Sequence, residues 1–424
     1  MVFAPKCNKL FIEMETTENI KELKFYQGLS DYFAENNVKK DRYKKVVKAK
    51  IAEFFNMKNV CFLFGAGVSC PAIPNMAKLY SNIEKAIKGK SFEERFRKIA
   101  IANDNKLEDI LSVLYSGRAY YQGFGDTHKK RVDSCSELIR FIEKFIFESI
   151  NIHFNQPIEK DVLKTYESFY QKIAFRNKDL SRICVFTTNN DLYNETAMDN
   201  LNIHYVNGFS GGVKRHFNPA MFNYTFSKRM DVGIDKYEPV ENMVYFYKIH
   251  GSVNWIDDEQ DDSNFFSIVE EHNVEWNENK NKNILIYPTP TKQNKSLGAP
   301  YVDLFREFQH RLLEPNTVLF VMGYGFNDEH VNDIIYRALA TNTTFNLVII
   351  DQLDESKSIC KIDDKRIFRL WGVAEASEKG KDDIMMHYFD YTVREWLPNL
   401  NAFAQEEKVV KDFVNGLKEI SKKM

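Results

Sequence analysis

The sequence predicts an α/β fold: an open, mostly parallel sheet with a large helical insertion and helical terminal extensions. Three observations lead there. Continuous apolar runs recur at residues 59–64, 183–188, 244–249, 318–322 and 347–350, as strands buried on both faces require. Several of them stop abruptly in glycine or small polar residues. One strand–helix–strand unit is legible throughout. Residues 318–325 form a strand and turn, and Asn327 or Asp328 can cap a helix. Val331, Ile334, Ile335, Ala338 and Leu339 give that helix one apolar face, and residues 345–351 form the next strand. Such units build a parallel, Rossmann-like sheet.

Taken in order, residues 1–55 are charged and mostly helical in pattern, with a basic run at 39–50 that reads as a solvated helix face. Residues 76–180 read as a helical insertion packed on the sheet. Leu107, Ile110, Leu111 and Leu114 repeat at helical spacing, as do Leu138, Ile139, Phe141, Ile142, Phe145 and Ile146. A further strand is predicted at 284–287. Segments 206–243 and 256–282 are polar and irregular, and are predicted to cover or rim a ligand cleft. Residues 379–424 read as a helical tail, with Trp396 and Leu397 as core.

Composition narrows the function. A chain of 424 residues suits two or three average domains, or one α/β core with insertions. A net charge of −2 argues against a dedicated nucleic-acid binder. The six cysteines are scattered, with no Cys-x-x-Cys pair, and no His-Glu-x-x-His is present, so metal-ligand spacing is lacking. Cys61 and Cys184 read as small core residues of buried strands. The cysteine usage, the lack of a signal-peptide pattern and the absence of a run near the ~20 apolar residues of a membrane span predict a soluble, cytoplasmic protein.

Four strand ends carry the candidate chemistry. Gly65-Ala66-Gly67-Val68-Ser69 could turn backbone N–H groups toward a phosphate. It matches only the start of the dinucleotide fingerprint, because Cys70 holds the third glycine position. Thr187-Thr188-Asn189-Asn190-Asp191 places amide and carboxylate groups where ligands bind in open sheets; an Asx turn capping the next helix is equally compatible. His250, beside Gly251, can accept a proton near neutral pH, or fill a structural role. Gly323-Tyr324-Gly325-Phe326-Asn327-Asp328 fits a phosphate or ribose contact as well as a plain turn. A serine hydrolase using Ser69 or Ser252 with His250 and Asp191 lacks the Gly-x-Ser-x-Gly elbow.

Together and in this order, these motifs resemble the sirtuin-like (silent information regulator type 2) family. Gly65-Ala66-Gly67-Val68-Ser69 is similar to its Gly-Ala-Gly-x-Ser loop. Thr188-Asn189-Asn190-Asp191 is similar to its Gln-Asn-x-Asp segment, with Thr188 at the usual glutamine, and His250-Gly251 to its catalytic His-Gly. The four-cysteine zinc module of sirtuin deacylases is missing, since no cysteine lies between Cys184 and Cys360. The segments around His250 and Gly323 resemble more closely the bacterial branch that hydrolyses NAD in defence against phage. A chain of this size resembles the members paired with a HerA-type ATPase.

The resemblance implies an NAD⁺ glycohydrolase that releases nicotinamide and ADP-ribose. His250 and Asn189 would be catalytic. Gly65, Ala66, Gly67, Ser69, Thr188, Asp191, Gly323, Gly325 and Asn327 would bind NAD, with no metal. It places an NAD-binding domain at 56–378, with the insertion at 76–180, between an N-terminal extension (1–55) and the tail (379–424). A homo-oligomer, regulation by the ATPase partner, and no membrane or direct nucleic-acid contact are expected. The alternatives are an NAD-dependent protein deacylase and a non-enzymatic NAD or ADP-ribose sensor.

Overall fold

The computed structural model describes residues 20–177, 179–230, 236–257, 268–272, 274–276, 283–285, 300–374 and 383–400. Strands are numbered β1–β17 along the chain. The central sheet has a parallel body in the order β16 (Ile367–Ala374), β15 (Asn346–Ile350), β14 (Thr317–Met322), β3 (Asn59–Phe64), β4 (Ile183–Thr187), β10 (Met243–Lys248) and β5 (His204–Val206). Beyond β16 come β1 (Ile20–Gln27) and β2 (Ser30–Asp31), both antiparallel, and β17 (Ile384–Met385) also pairs with β16. The α/β, mostly parallel prediction therefore holds.

Burial explains the continuous apolar runs. Every residue of β3 and β14 is buried, and alternate side chains serve opposite faces. Phe62, Phe64, Phe320 and Val348 enter one core with the helices Tyr43–Phe55 and Pro157–Ile173. Leu63, Leu319, Val321 and Ile349 enter the other with the helices Tyr301–Leu313 and Glu329–Thr341. The predicted strand–helix–strand unit is β14, Glu329–Thr341, β15. Asp328 supplies its cap by accepting from the amides of His330 and Val331.

The insertion divides in two. Helices Met76–Ala86, Glu93–Ala102, Leu107–Gln122 and Lys129–Ile150 build a core of their own around Ile83, Phe96, Ile110, Leu111, Leu138 and Ile142. Helix Pro157–Ile173 instead packs on the sheet through Tyr166, Phe169, Tyr170 and Ile173. It starts with proline at its first turn and a capping box between Gln156 and Glu159.

Three expectations change. The N-terminal segment is helical at Tyr43–Phe55, but Ile20–Gln27 is a strand. Buried Leu23 and Phe25 alternate with half-exposed Lys24 and Tyr26, a period of two that the surrounding charge obscures. Asn283–Leu285 lies outside the central sheet, in a five-stranded sheet with β11 (Gly251–Asp257), β12 (Ile268–Glu270), β7 (Arg215–Phe217) and β6 (Phe209–Ser210). Residues 286–287 fall outside the described residues. Segment 206–243 also holds the hairpin β8 (Ser227–Arg229) and β9 (Tyr237–Pro239), so it is more regular than its polarity suggests. In the tail, the described residues 383–400 hold β17 and then a helical stretch, Phe389–Tyr391 continuing into Thr392–Trp396, with Trp396 and Leu397 buried. Residues 379–382 and 401–424 lie outside the description.

Candidate functional site

From β3 the chain moves one way along the sheet, to β4, while from β14 it moves the other way, to β15 and β16. The loops leaving β3 and β14 therefore part, opening a crevice at the strands' carboxyl ends. Both glycine loops sit there, in contact. The Gly65 amide donates to Met322 O (3.0 Å) and the Gly67 amide to Gly323 O (2.9 Å). A Cβ on Gly67 would lie 2.7 Å from Gly323 Cα, and one on Gly323, at φ +61°, would lie 2.6 Å from Val68 N. These glycines are needed because two backbones cross without room for side chains. The amides of Gly65 and Gly67, expected to turn toward a phosphate, are thus engaged by the neighbouring loop.

A cavity of about 270 Å³ gathers Ala66, Ser69, Thr188, Asn189, Asp191 and His250 with Gly323, Gly325 and Asn327. Gly65 is not among its lining residues. Gly67 lines a second cavity of about 780 Å³, which shares Asn75, Gly323 and Gly325 with the first. The smaller cavity is roofed by Met76, Leu79, Glu108, Ile146 and Ile150 of the insertion. Its described lining includes nothing from 206–243 or 256–282, segments in which residues 231–235, 258–267, 273 and 277–282 fall outside the described residues. A third cavity, about 290 Å³ around Cys61, Cys184 and Arg311, lies toward the amino ends of the strands.

A buried polar network orders the cleft floor. Ser69 Oγ donates to Asp191 Oδ2 (2.8 Å), and Asn189 Nδ2 donates to Gly65 O (3.0 Å) and Ser69 Oγ (3.1 Å). The single Ser69 proton is committed to Asp191, so Tyr166 OH, 2.8 Å away, donates to Ser69. Asp191 Oδ1 accepts from the Tyr193 amide (3.1 Å). Burial raises the Asp191 pKa, opposed by the Lys248 charge and the Ser69 hydrogen bond. Ser69 thus acts as an orienting donor, and Ser252 is fully buried; neither is presented as a nucleophile.

His250 follows β10, and its side chain is 12% exposed, with Nε2 3.1 Å from Asp328 Oδ2. The other oxygen of Asp328 caps the helix Glu329–Thr341, accepting from the amides of His330 (3.0 Å) and Val331 (3.2 Å). A helix cap therefore sets the imidazole's orientation. The sequence marks Asp328 as a possible cap, but nothing in it reveals the partnership with His250, which joins two distant strand ends. Asn327 accepts a hydrogen bond from Lys357 at the cleft rim. In the larger cavity, Asp351 directly follows β15, and burial pushes its carboxyl up to about 6.

Among the described residues, no group of three or more His, Cys, Asp or Glu side chains is arranged to hold a metal ion. None of the described helices is long and apolar enough to cross a membrane. Residues 183–371 match the family model of the SIR2-like domain. The match spans the Asn189–Asp191 segment, His250, the Gly323 loop and Asp351, and starts after the Gly65 loop. It supports a sirtuin-like, NAD-related domain. No curated protein matches the sequence.

Proposed function

We propose that the chain is an NAD⁺ glycohydrolase. The observation that carries this reading is the placement of His250 and Asn189 in one small cleft that shares the Gly323 and Gly325 wall with a larger cavity, inside a SIR2-like domain. A dinucleotide has two unequal halves joined by a pyrophosphate. Nicotinamide and its ribose would occupy the smaller cavity, with Asp191 near the carboxamide. The pyrophosphate would pass over Ala66 and the Gly323 loop, and adenosine would fill the larger cavity.

Water would attack the ribose carbon as the nicotinamide bond breaks. Nicotinamide leaves with the bonding electrons, and His250 takes the water's proton. Asn189 would position that water or the ribose. The transition state resembles an oxocarbenium ion, so positioning and electrostatics supply much of the acceleration. This mechanism uses no metal. The missing cysteine module, together with the insertion roof over the cleft, favours hydrolysis over deacylation of a protein chain. The reading extends to NAD depletion in anti-phage defence, in the cytoplasm, by a homo-oligomer controlled by a HerA-type ATPase.

The test is NAD⁺ consumption with product identification by chromatography, with and without such an ATPase. Nicotinamide and ADP-ribose in equal amounts support the reading, and dependence on the ATPase locates control. Binding of NAD⁺ without turnover under both conditions would favour the sensor, and release of nicotinamide only with an acylated peptide the deacylase.

Two further results are expected. Asp328→Asn retains a capping oxygen but loses the charge beside His250, so turnover falls about 10-fold with little change in melting temperature. Asp328→Ala loses both, and stability drops by about 1 kcal/mol as well. Thermal melts beside initial rates check this, and equal rates for Asp328→Ala and the parent would remove Asp328 from the site. Second, the charged side chains of the described larger-cavity lining are carboxylates: Asp161, Asp351 and Asp390. An Asp351 carboxylate that accepts from the adenosine ribose hydroxyls would repel a 2′-phosphate. NADP⁺ should bind at least about 10-fold more weakly than NAD⁺, and Asp351→Asn should narrow the gap. The hydroxyls favour the ionised carboxylate, whereas the empty site favours the neutral form. NAD⁺ affinity should therefore weaken as pH falls through about 6. Calorimetry against pH measures this, and a flat profile contradicts it.

A further inference from the structure

Lys248 is a buried charge that the proposed bond cleavage does not itself use. It closes β10, two residues before His250, and its side chain is 2% exposed. Its ammonium donates to Glu195 Oε1 (2.8 Å), to Asp191 O and, more weakly, to Asn190 O (3.4 Å). Glu195, in the helix Tyr193–Asn200, has a 9% exposed side chain, and its second oxygen, Oε2, has no hydrogen-bond partner. Burying such a pair is rarely a gain in stability, and well-packed apolar residues in its place are often neutral or better. Stability is therefore a poor account of it.

Its connections supply a better one. Two of the acceptors of Lys248 are the main-chain carbonyls of the segment that carries Asn189 and Asp191. The same segment reaches back: Asn190 Nδ2 donates to His250 O (2.7 Å) and Gly251 O (3.0 Å), while the Val253 amide donates to Asn190 O (2.9 Å). The two loops leave the adjacent strands β4 and β10 and are thus tied side by side at the cleft, with the ammonium at the bottom of the tie. We propose that Lys248, held by Glu195, is a positioning residue that fixes the Asn190–Asp191 backbone and so sets Asn189 and Asp191 beside His250.

The geometric part stands alone, and its consequence for turnover rests on the NAD⁺-cleaving reading. The test uses the full chain and Lys248→Met, Lys248→Met with Glu195→Leu, and Glu195→Gln. Lys248→Met strands a buried carboxylate, which should lower the melting temperature. The double variant removes both charges and should melt close to the parent. With its backbone tie lost, its kcat should still fall about 100-fold, with KM changed by less than about 3-fold. Amide exchange at residues 189–191 and 250 should quicken about 10-fold. Glu195→Gln keeps the shape and an acceptor, and at pH 8 it should show the same changes at about 10-fold in kcat. It serves if the double variant does not fold. Parent-like kcat and exchange in a folded double variant, or in Glu195→Gln, would overturn the assignment. If the parent does not cleave NAD⁺, the hydrolase reading fails, while the exchange data still decide the role of Lys248.

Discussion

Replacing His250 by alanine is expected to lower NAD⁺ cleavage by at least about 100-fold, the lower end of what a positioned general base contributes, with the fold preserved. The side chain is 12% exposed, and its contact with Asp328 sits at a cleft wall rather than within either sheet core. Loss of that contact leaves Asp328 Oδ1 still capping the helix. Asn189→Ala should give a similar loss of turnover and cost about 1 kcal/mol more in stability, because its amide holds Gly65 O and Ser69 Oγ. Initial rates paired with thermal melts separate the two effects. A folded His250→Ala protein with parental turnover would remove the imidazole from the mechanism.

Gly323→Ala should be more damaging to the fold than either. The residue is left-handed, which costs an alanine roughly 1–2 kcal/mol. The new methyl would also meet Val68 N at 2.6 Å and Gly67 Cα at 2.8 Å. Neither atom is the end of a flexible side chain, so the two loops must separate, at a further cost of about 1–3 kcal/mol. The expected sum is about 2–5 kcal/mol, together with loss of NAD⁺ binding, because the displaced loops line both cavities. Urea unfolding and calorimetry would test this. A variant as stable as its parent that still binds NAD⁺ would show that the crossing tolerates a side chain.

The fold was legible because its strands are buried on both faces. Runs such as 59–64 and 318–322 need no tertiary information to be recognised, and Asp328 signals its cap locally. Ile20–Gln27 was not legible as a strand, because two buried residues among charged neighbours make a weak alternation. In the site, the residues that end strands could be named, since strand ends are where open sheets bind ligands. Their partners could not. The pairing of His250 with Asp328, of Ser69 with Tyr166, and of Lys248 with the Asn190–Asp191 carbonyls joins residues far apart in sequence through neutral-looking positions. The cleft roof escaped for a related reason: apolar residues such as Leu79 and Ile146 satisfy a helical stripe whether they face a core or a ligand. The amides of Gly65 and Gly67 looked available because sequence shows a turn but not the second backbone pressed against it.

The separate core of the helices between Met76 and Ile150 has a bearing on control. The cleft floor and the cleft roof belong to two packed units with separate buried interiors. How open the cleft stands is then governed by the docking free energy between those units, a smaller quantity than the stability of either. A macromolecule gripping only the outer helices would shift that equilibrium while touching no group that binds or cleaves the dinucleotide.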